Sequence, residues 1–172
     1  DLLSEIPAGK HLTFYRDRLV NSTQFQEENQ SNILISYPGE PEAFDAVTGI
    51  IILKNPGNAR VTTCQELRDV LYIWRDAETF ATQDNGDEPS SWLVTTIDQG
   101  LGCAVNGIAV TLDVGSINVD YLVLVNFSGI FLFNGSYSFP ELSWKIADYV
   151  GEIAFDEITH VEIYNDTILK RL

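Results

Sequence analysis

Histidine and cysteine, which carry much of the nucleophilic and metal chemistry of proteins, are scarce in this chain. His11 and His160 are the only histidines, and Cys64 and Cys103 are the only cysteines. A Ser-His-Asp triad needs a histidine beside a nucleophile in a suitable strand-turn context, and neither histidine has one. The cysteines lack metal-ligand spacing, so we expect two buried thiols, with one disulfide as the alternative.

Carboxylates are the other abundant reactive groups. The chain holds 25 Asp and Glu, so many accidental pairs are expected, and only geometry could select a pair for glycoside cleavage. The densest polar stretch, residues 82–92, contains Asp84, Asp87 and Glu88. It resembles the Asp-box turn of many propellers, with a longer Gly86-to-Trp92 gap, and we interpret it as a structural turn. A calcium site with these three acids is the alternative, because Ca²⁺ prefers hard oxygen ligands.

The cations are few and dispersed. Only 10 Lys and Arg oppose the acids, which gives a formal net charge of -15. Binding to nucleic acid through phosphate neutralisation needs clustered cations, so this class of function is disfavoured. We expect salt bridges from the arginines near predicted strand turns: Arg16, Arg18, Arg68 and Arg75. We therefore predict no enzyme activity and no catalytic, cofactor-binding or metal site.

Length and composition favour one β-rich domain over residues 1–172. The 45% hydrophobic content of 172 residues is ample for a core. No apolar run approaches the roughly 20 residues that span a bilayer, so no membrane insertion is expected. The chain begins at Asp1 and contains no methionine, which suggests a piece of a longer polypeptide.

The elements that would position these residues are mainly strands. Residues 121–125 and 130–133 predict a buried hairpin, because aromatic and branched side chains occupy both faces. Its turn is Asn126 to Gly129, where glycine permits a positive φ. The segment before residue 20 predicts strand, Arg16-Asp17 turn and strand, with Leu12, Phe14 and Leu19 facing the core. The other predicted strands cover residues 33–37, 50–53, 61–64, 70–74, 78–81, 92–98, 108–113 and the tail after His160.

One short helix is expected after the hairpin. Ser138 and Glu141 match a capping box, Pro140 lies in the first turn, and apolar residues then recur at helical spacing. The segment between residues 39 and 49 is interpreted as a long connection.

A loose repeat of strand, tight polar turn and strand recurs at FYRDRLV, ELRDVLYIW, VLVNFSGIFLF and VEIYNDTIL. Its spacing suits the blades of a β-propeller, in which each blade buries its faces against its neighbours. The fold class is thus mainly antiparallel all-β with one short helix, as a β-propeller or propeller-like blades, and the alternative is a β-sandwich.

Six short motifs, in this order and spacing, resemble the β-propeller tail-nozzle, tail-tubular and DNA-stabilisation proteins of short-tailed bacteriophages. They are ISYPG at 35–39, LYIW at 71–74, PSSW at 89–92, IDQGLG at 97–102, GIFLFNG at 129–135 and PEL at 140–142. The resemblance implies a structural virion protein of the phage tail, at the nozzle or the head-tail junction, that forms part of the passage for DNA ejection.

The same resemblance implies the partners. We expect a homo-oligomeric ring that contacts other phage tail or portal-adaptor proteins, with DNA as a passing, weakly contacted cargo and no cofactor. The competing hypothesis is a propeller that binds or cleaves glycans in a host-recognition apparatus. Sugar binding favours aromatic rings on an open face, whereas Trp74, Trp92 and Trp144 lie beside predicted strands or the helix and are expected to be buried.

Overall fold

The computed structural model describes residues 8–24, 31–53, 59–103, 105–114, 117–126 and 128–137, together with Asp148, Tyr149 and Glu152. All strand pairs in these residues are antiparallel. The predicted antiparallel all-β class is confirmed. Asp148 and Tyr149 are helical; the start of the predicted helix, the fourth repeat and the tail after His160 lie outside the described residues.

The first sheet is a meander with an extra strand. It contains β1 (Gly9–Tyr15), β2 (Arg18–Gln24), β3 (Asn32–Tyr37), β4 (Glu40–Phe44) and β5 (Ile50–Ile52). Neighbouring strands pair in chain order from β1 to β4, and β5 also pairs with β3. The interpretation of residues 39–49 as a connection was wrong over β4, whose proline and two glutamates give little strand signal.

The second sheet is a plain four-stranded meander. It contains β6 (Thr63–Leu67), β7 (Val70–Trp74), β8 (Thr79–Thr82) and β9 (Thr95–Asp98), paired in that order. A 3₁₀ helix, Pro89–Ser91, directly precedes Trp92, so the last strand begins three residues later than predicted. Trp92 turns inward to hydrogen-bond its own loop instead of continuing into the strand.

The third sheet contains the predicted hairpin. Its strands are β10 (Val105–Val114), β11 (Ile117–Asn126) and β12 (Gly129–Phe133). The hairpin β11-β12 has the predicted register, with Asn126 opposite Gly129. Gly129 has the expected positive φ, 149°. Leu122 to Val125 are all buried, whereas Ile130 and Leu132 are half-buried, so of the two strands of the hairpin β11 is covered on both faces and β12 on one.

Two hairpins confirm the repeat in their backbone. Arg16 and Asp17 have φ values of 45° and 58°, and Arg68 and Asp69 have values of 51° and 65°. Two consecutive positive φ values give the hairpin turn whose twist matches that of its strands. The third repeat member, however, forms β11-β12, which is the second hairpin of its sheet; the hairpin equivalent to β1-β2 and β6-β7 is β10-β11.

The second sheet lies between the other two. On β7, Leu71 and Ile73 pack with buried residues of the first sheet, in one apolar cluster with Cys64, Phe80 and Trp92. Tyr72 and Trp74, on the opposite face, pack with Leu122, Leu124 and Phe133 of the third sheet. The first strands meet as well, because β6 contacts both β1 and β10.

The prediction that Leu12 and Phe14 face the core is wrong. They are 61% and 67% exposed, and Leu19, opposite Phe14, is half-buried. Tyr15 and Val20 are fully buried and take the core face instead. Because side chains alternate along a strand, placing Tyr15 in the core directs Leu12 and Phe14 to the other face.

Candidate functional site

A cleft of about 670 Å³ lies between the first sheet and the loop that follows β8. The end of β3 and the turn before β5 form one wall, with Ser36, Tyr37 and Asp45. Asp87 and Glu88, from the loop, form the other wall, and Arg18 of β2 also lines the cleft. Two sheets therefore bring together an arginine, three acids, a serine and a tyrosine that are far apart in sequence.

Arg18 contacts both walls of the cleft. Its Nη1 donates to the Ser36 carbonyl oxygen at 3.0 Å, and its guanidinium lies 5.7 Å from the centre of the Trp92 ring. Its Nε is 3.6 Å from Asp84 Oδ2, an ion pair too long for a hydrogen bond. With only 12% of its side chain exposed, Arg18 joins the first sheet to the loop of the second.

The carboxylates in and behind the cleft are occupied by their own loops. Asp45 Oδ1 accepts from the amides of Val47 at 2.7 Å and Thr48 at 2.9 Å. Asp84 Oδ1 accepts from the amide of Gly86 at 2.8 Å. These are Asx turns, in which a side chain replaces a backbone acceptor and fixes a reversal.

The rest of the polar loop is hydrogen-bonded in the same way. Asp87 Oδ2 accepts from Asn85 Nδ2 at 3.2 Å, and the Trp92 indole donates to the Asp87 carbonyl at 3.1 Å. Gly86 has a φ of 90°, a conformation that favours glycine. These contacts agree with the interpretation of the loop as a structural turn, and the tryptophan fastens it across the Gly86-to-Trp92 gap.

In the described residues, the side chains are arranged neither as a calcium site nor as a Ser-His-Asp triad. No group of three His, Cys, Asp or Glu side chains that could hold a metal ion occurs in the described part of the chain, so Asp84, Asp87 and Glu88 do not converge there. His11 lies on β1 and is not part of the cleft. Ser36 Oγ accepts a hydrogen bond from the Leu19 amide at 2.8 Å and donates one to the Tyr37 carbonyl oxygen at 3.2 Å. His160 lies outside the described residues.

The two cysteines are buried and form no disulfide, as predicted. Cys64 packs in the cluster between the first and second sheets, and Cys103 packs between the second and third. Burial raises the pKa of the Cys64 thiol from 9.0 to about 12. A thiol with such a pKa is protonated at neutral pH and is not a nucleophile.

Three of the four predicted arginine salt bridges are confirmed. Arg18 pairs with Asp84, as above, and Arg75, which is 1% exposed, donates from Nη1 to Glu78 Oε2 at 2.9 Å. Arg16 binds Asp69 with Nε and Nη2, one to each carboxylate oxygen. This hydrogen bonding raises the pKa of Arg16 and lowers that of Asp69.

Arg68 makes a different contact. It donates from Nη2 to the Asp120 carbonyl oxygen of β11 at 3.2 Å. Arg16 and Arg68 occupy the same position in equivalent turns, and each one reaches from its own sheet to the next sheet along the chain. The repeated arginine therefore links successive sheets at the end where their first hairpins turn.

Tyr15 is a central residue that sequence reasoning missed. Its hydroxyl donates to the Asp69 carbonyl at 3.1 Å and accepts from the Asp84 amide at 2.9 Å. Its ring meets Trp92 edge to face at 5.8 Å, and burial raises the pKa of its hydroxyl. Alternation along β1 indicates that every second side chain is buried, but it does not tell which of the two sets is buried. The sequence signal alone therefore could not identify Tyr15.

Comparison with known proteins adds no assignment: no family model matches the chain, and no curated protein matches it significantly. In the described residues, no helix has the length and apolar character needed to cross a membrane.

Proposed function

We propose that this protein is a structural, propeller-type building block of a bacteriophage tail, at the nozzle or the head-tail junction, where it forms part of the DNA passage. The observation that carries the proposal is the stacking of three successive antiparallel sheets, with β6 beside both β1 and β10. Meanders that pack face to face and meet along their first strands have the arrangement of propeller blades. The assignment to a tail rests on the six motifs of the sequence.

The use of the polar side chains supports a building role. Arg16, Arg18 and Tyr15 each bridge the first and second sheets. The carboxylates of Asp45 and Asp84 hold loop amides. Side chains that make these hydrogen bonds and ion pairs stabilise the packing of the sheets and the shape of the loops. They could act on a substrate only if the sheets or loops separated.

The charge supports passage of DNA without binding. The net charge is -15, and Asp87 and Glu88 are exposed on the loop after β8. A wall rich in carboxylates repels phosphates, so a duplex can slide without being held at one register. Asp84 does not contribute a free charge to such a wall, because it is paired with Arg18.

Electron microscopy of the full-length assembly tests the architecture, and duplex binding tests the role. We expect rings with a central opening, and no measurable duplex binding at physiological salt. Only monomers at micromolar concentration would contradict the ring, and tight, salt-sensitive duplex binding would contradict the passage.

A charge-reversal pair tests the loop itself. In virions, Asp87→Lys with Glu88→Lys should slow DNA release, because cations on the wall would hold phosphates. Glu40→Lys with Glu42→Lys makes the same change in charge on exposed positions of β4 and should leave release unchanged. Equal effects from both pairs would show that total charge, not the loop, controls passage.

One observation favours the competing glycan hypothesis. Trp74 and Trp92 are 0% and 5% exposed, but Tyr37, at the rim of the cleft beside Asp87 and Glu88, is 40% exposed. A glycan that stacks on this ring would bind saturably on an array and lose binding in Tyr37→Ala. Tyr149→Ala, at a tyrosine that is 74% exposed and is not part of the cleft, is the matched control and should bind as the unchanged protein does.

A further inference from the structure

Two Asn-Gly sequences lie in described loops of this chain. Asn85-Gly86 belongs to the loop after β8, and Asn134-Gly135 belongs to the turn after β12. A third, Asn106-Gly107, lies inside β10. An asparagine followed by glycine is prone to lose its side-chain amide, because glycine has no Cβ to keep the next backbone nitrogen away from the asparagine Cγ. The two loop sites have very different surroundings.

The reaction at such a site uses only the chain and water. The backbone nitrogen of the glycine attacks the asparagine Cγ and closes a five-membered succinimide ring, and the side-chain nitrogen leaves as ammonia with the proton of the attacking amide. Water then opens the ring at either carbonyl and gives aspartate or isoaspartate. The attack needs a backbone nitrogen that no acceptor holds and a side chain that can turn towards it.

Asn134 meets both requirements. Among the described residues, the Gly135 amide has no hydrogen-bond acceptor. The Asn134 side chain has one polar contact there, from Ser136 Oγ to its Oδ1 at 3.5 Å, which is too long for a strong hydrogen bond. Ser136 is exposed, so water reaches the turn.

Asn85 meets neither requirement. The Gly86 amide donates to Asp84 Oδ1 at 2.8 Å. The Asn85 side chain is held at both of its polar atoms, because Oδ1 accepts from the Asp87 amide at 3.0 Å and Nδ2 donates to Asp87 Oδ2 at 3.2 Å. The nitrogen would have to leave its acceptor, and the side chain both of its partners, before the two could meet.

We propose that Asn134 is a deamidation site of the folded protein, and that Asp84 and Asp87 protect Asn85 from the same reaction. The two acids thus have a chemical effect in addition to shaping their loop. This proposal depends on the hydrogen bonds of two loops and does not depend on the tail assignment.

The modified turn lies beside the joint between the second and third sheets. Tyr137, three residues after Asn134, forms a β-bridge with Phe133. Its hydroxyl lies 2.7 Å from Thr79 Oγ1 and 3.3 Å from the Gly102 carbonyl oxygen. Isoaspartate carries the chain through its side chain and adds one backbone atom to the turn, which displaces Tyr137 relative to these partners. The isoaspartate form should therefore melt at a lower temperature than the aspartate form, which keeps the backbone.

Peptide mapping by mass spectrometry, during incubation of the 172-residue chain at neutral pH, measures both rates. In the folded protein, Asn134 should react at least about tenfold faster than Asn85, because a hydrogen bond to a carboxylate contributes roughly this factor. In concentrated urea the two rates should become similar, because both sites are Asn-Gly and neither loop is formed. The change in ratio separates the effect of the structure from that of the sequence.

Three alanine variants test the protection. Asp84→Ala and Asp87→Ala each remove an acceptor and should raise the rate at Asn85 about tenfold. Glu88→Ala removes the same charge at an exposed neighbour that makes no hydrogen bond to Asn85 in the described residues, and it should leave the rate unchanged. Asn134 in the same protein is the internal reference, because these acids do not contact it.

The effect on the joint is tested with purified material. The isoaspartate form should melt below the Asn134→Asp protein, which carries the same charge without the extra backbone atom. A folded chain in which Asn85 reacts as fast as Asn134, a ratio of rates that urea does not change, or an unchanged rate at Asn85 in both Asp84→Ala and Asp87→Ala would each overturn the proposal. Equal melting of the isoaspartate form and Asn134→Asp would overturn its effect on the joint.

Discussion

Replacing Phe133 with alanine should be among the most destabilising changes in the described part of the chain. The residue is 0% exposed and lies in the cluster that joins the second and third sheets. Its ring centre is 4.9 Å from that of Tyr72, 5.6 Å from Trp74 and 5.1 Å from Tyr137, all edge to face. One side chain therefore holds three aromatic rings, two of them on the facing sheet.

The expected loss follows from these contacts. Truncation of a core phenylalanine costs about 3–5 kcal/mol through lost burial and a residual cavity. Edge-to-face pairs contribute roughly 0.5–1.5 kcal/mol each beyond burial, so three such pairs place Phe133→Ala in the upper part of that range, at about 4–5 kcal/mol. Phe133→Leu keeps most of the apolar volume and loses the ring contacts, so about 1–2 kcal/mol is expected.

Urea unfolding, followed by tryptophan fluorescence and by far-ultraviolet circular dichroism, measures both losses. The matched control is Leu93→Ala, at a side chain that is 79% exposed, which should change the free energy of unfolding by less than about 0.5 kcal/mol. A loss below about 1.5 kcal/mol for Phe133→Ala, with an unchanged denaturant slope, would refute the view that this ring joins the two sheets. Phe131, which is 2% exposed and meets Tyr137 at 5.7 Å, should cost about 3–4 kcal/mol as alanine.

Three further predictions concern pH and close packing. Since burial raises the pKa of Cys64 from 9.0 to about 12, its contribution to stability is complete below pH 9 and is lost as the pH rises; denaturation at pH 10 should show a loss of about 1 kcal/mol that is absent in Cys64→Ala. Arg16 lowers the pKa of Asp69 below its ordinary 3.8, so the pair stabilises the protein above pH 4 and loses this effect as the pH falls; the difference in melting temperature between Asp69→Asn and the unchanged protein should shrink between pH 7 and pH 3, and a constant difference would contradict this. A Cβ on Gly102 would lie 2.1 Å from the Arg75 carbonyl oxygen, so Gly102→Ala should lower stability by about 1–3 kcal/mol in urea unfolding, whereas Gly100→Ala, which meets only Asp98 Oδ1 at 3.7 Å, should fold normally.

Local structure could be predicted from the sequence where a short segment determines its own conformation. The turns at Arg16-Asp17 and Arg68-Asp69, and the reversal from Asn126 to Gly129, follow from residue types within a few positions. The burial of β7 and β11 on both faces also follows from their unbroken apolar runs, since such strands need cover on both sides. These features gave the all-β class and most strand positions before any contact was known.

The face that each amphipathic strand buries was not determined locally. In β1, Leu12 and Phe14 have the more apolar side chains, but Tyr15 is buried because its hydroxyl bridges Asp69 and Asp84 on the neighbouring sheet. Those partners are 54 and 69 residues away, so no pattern within β1 contains them. Arg16 and Asp69 are 53 residues apart, so their pairing is hidden from local patterns in the same way.

The sequence by itself determined the strand-forming segments, their tight turns, the scarcity of histidine and cysteine and the strong acidity, because each of these depends on composition or on neighbours along the chain. Only the tertiary structure decided which side of β1 is buried, that the acids after β8 serve their own turn and Arg18, and that Leu12, Phe14 and Ile52 are exposed. Each of these depends on which sheets pack together, and that packing is a sum of contacts between segments remote in sequence.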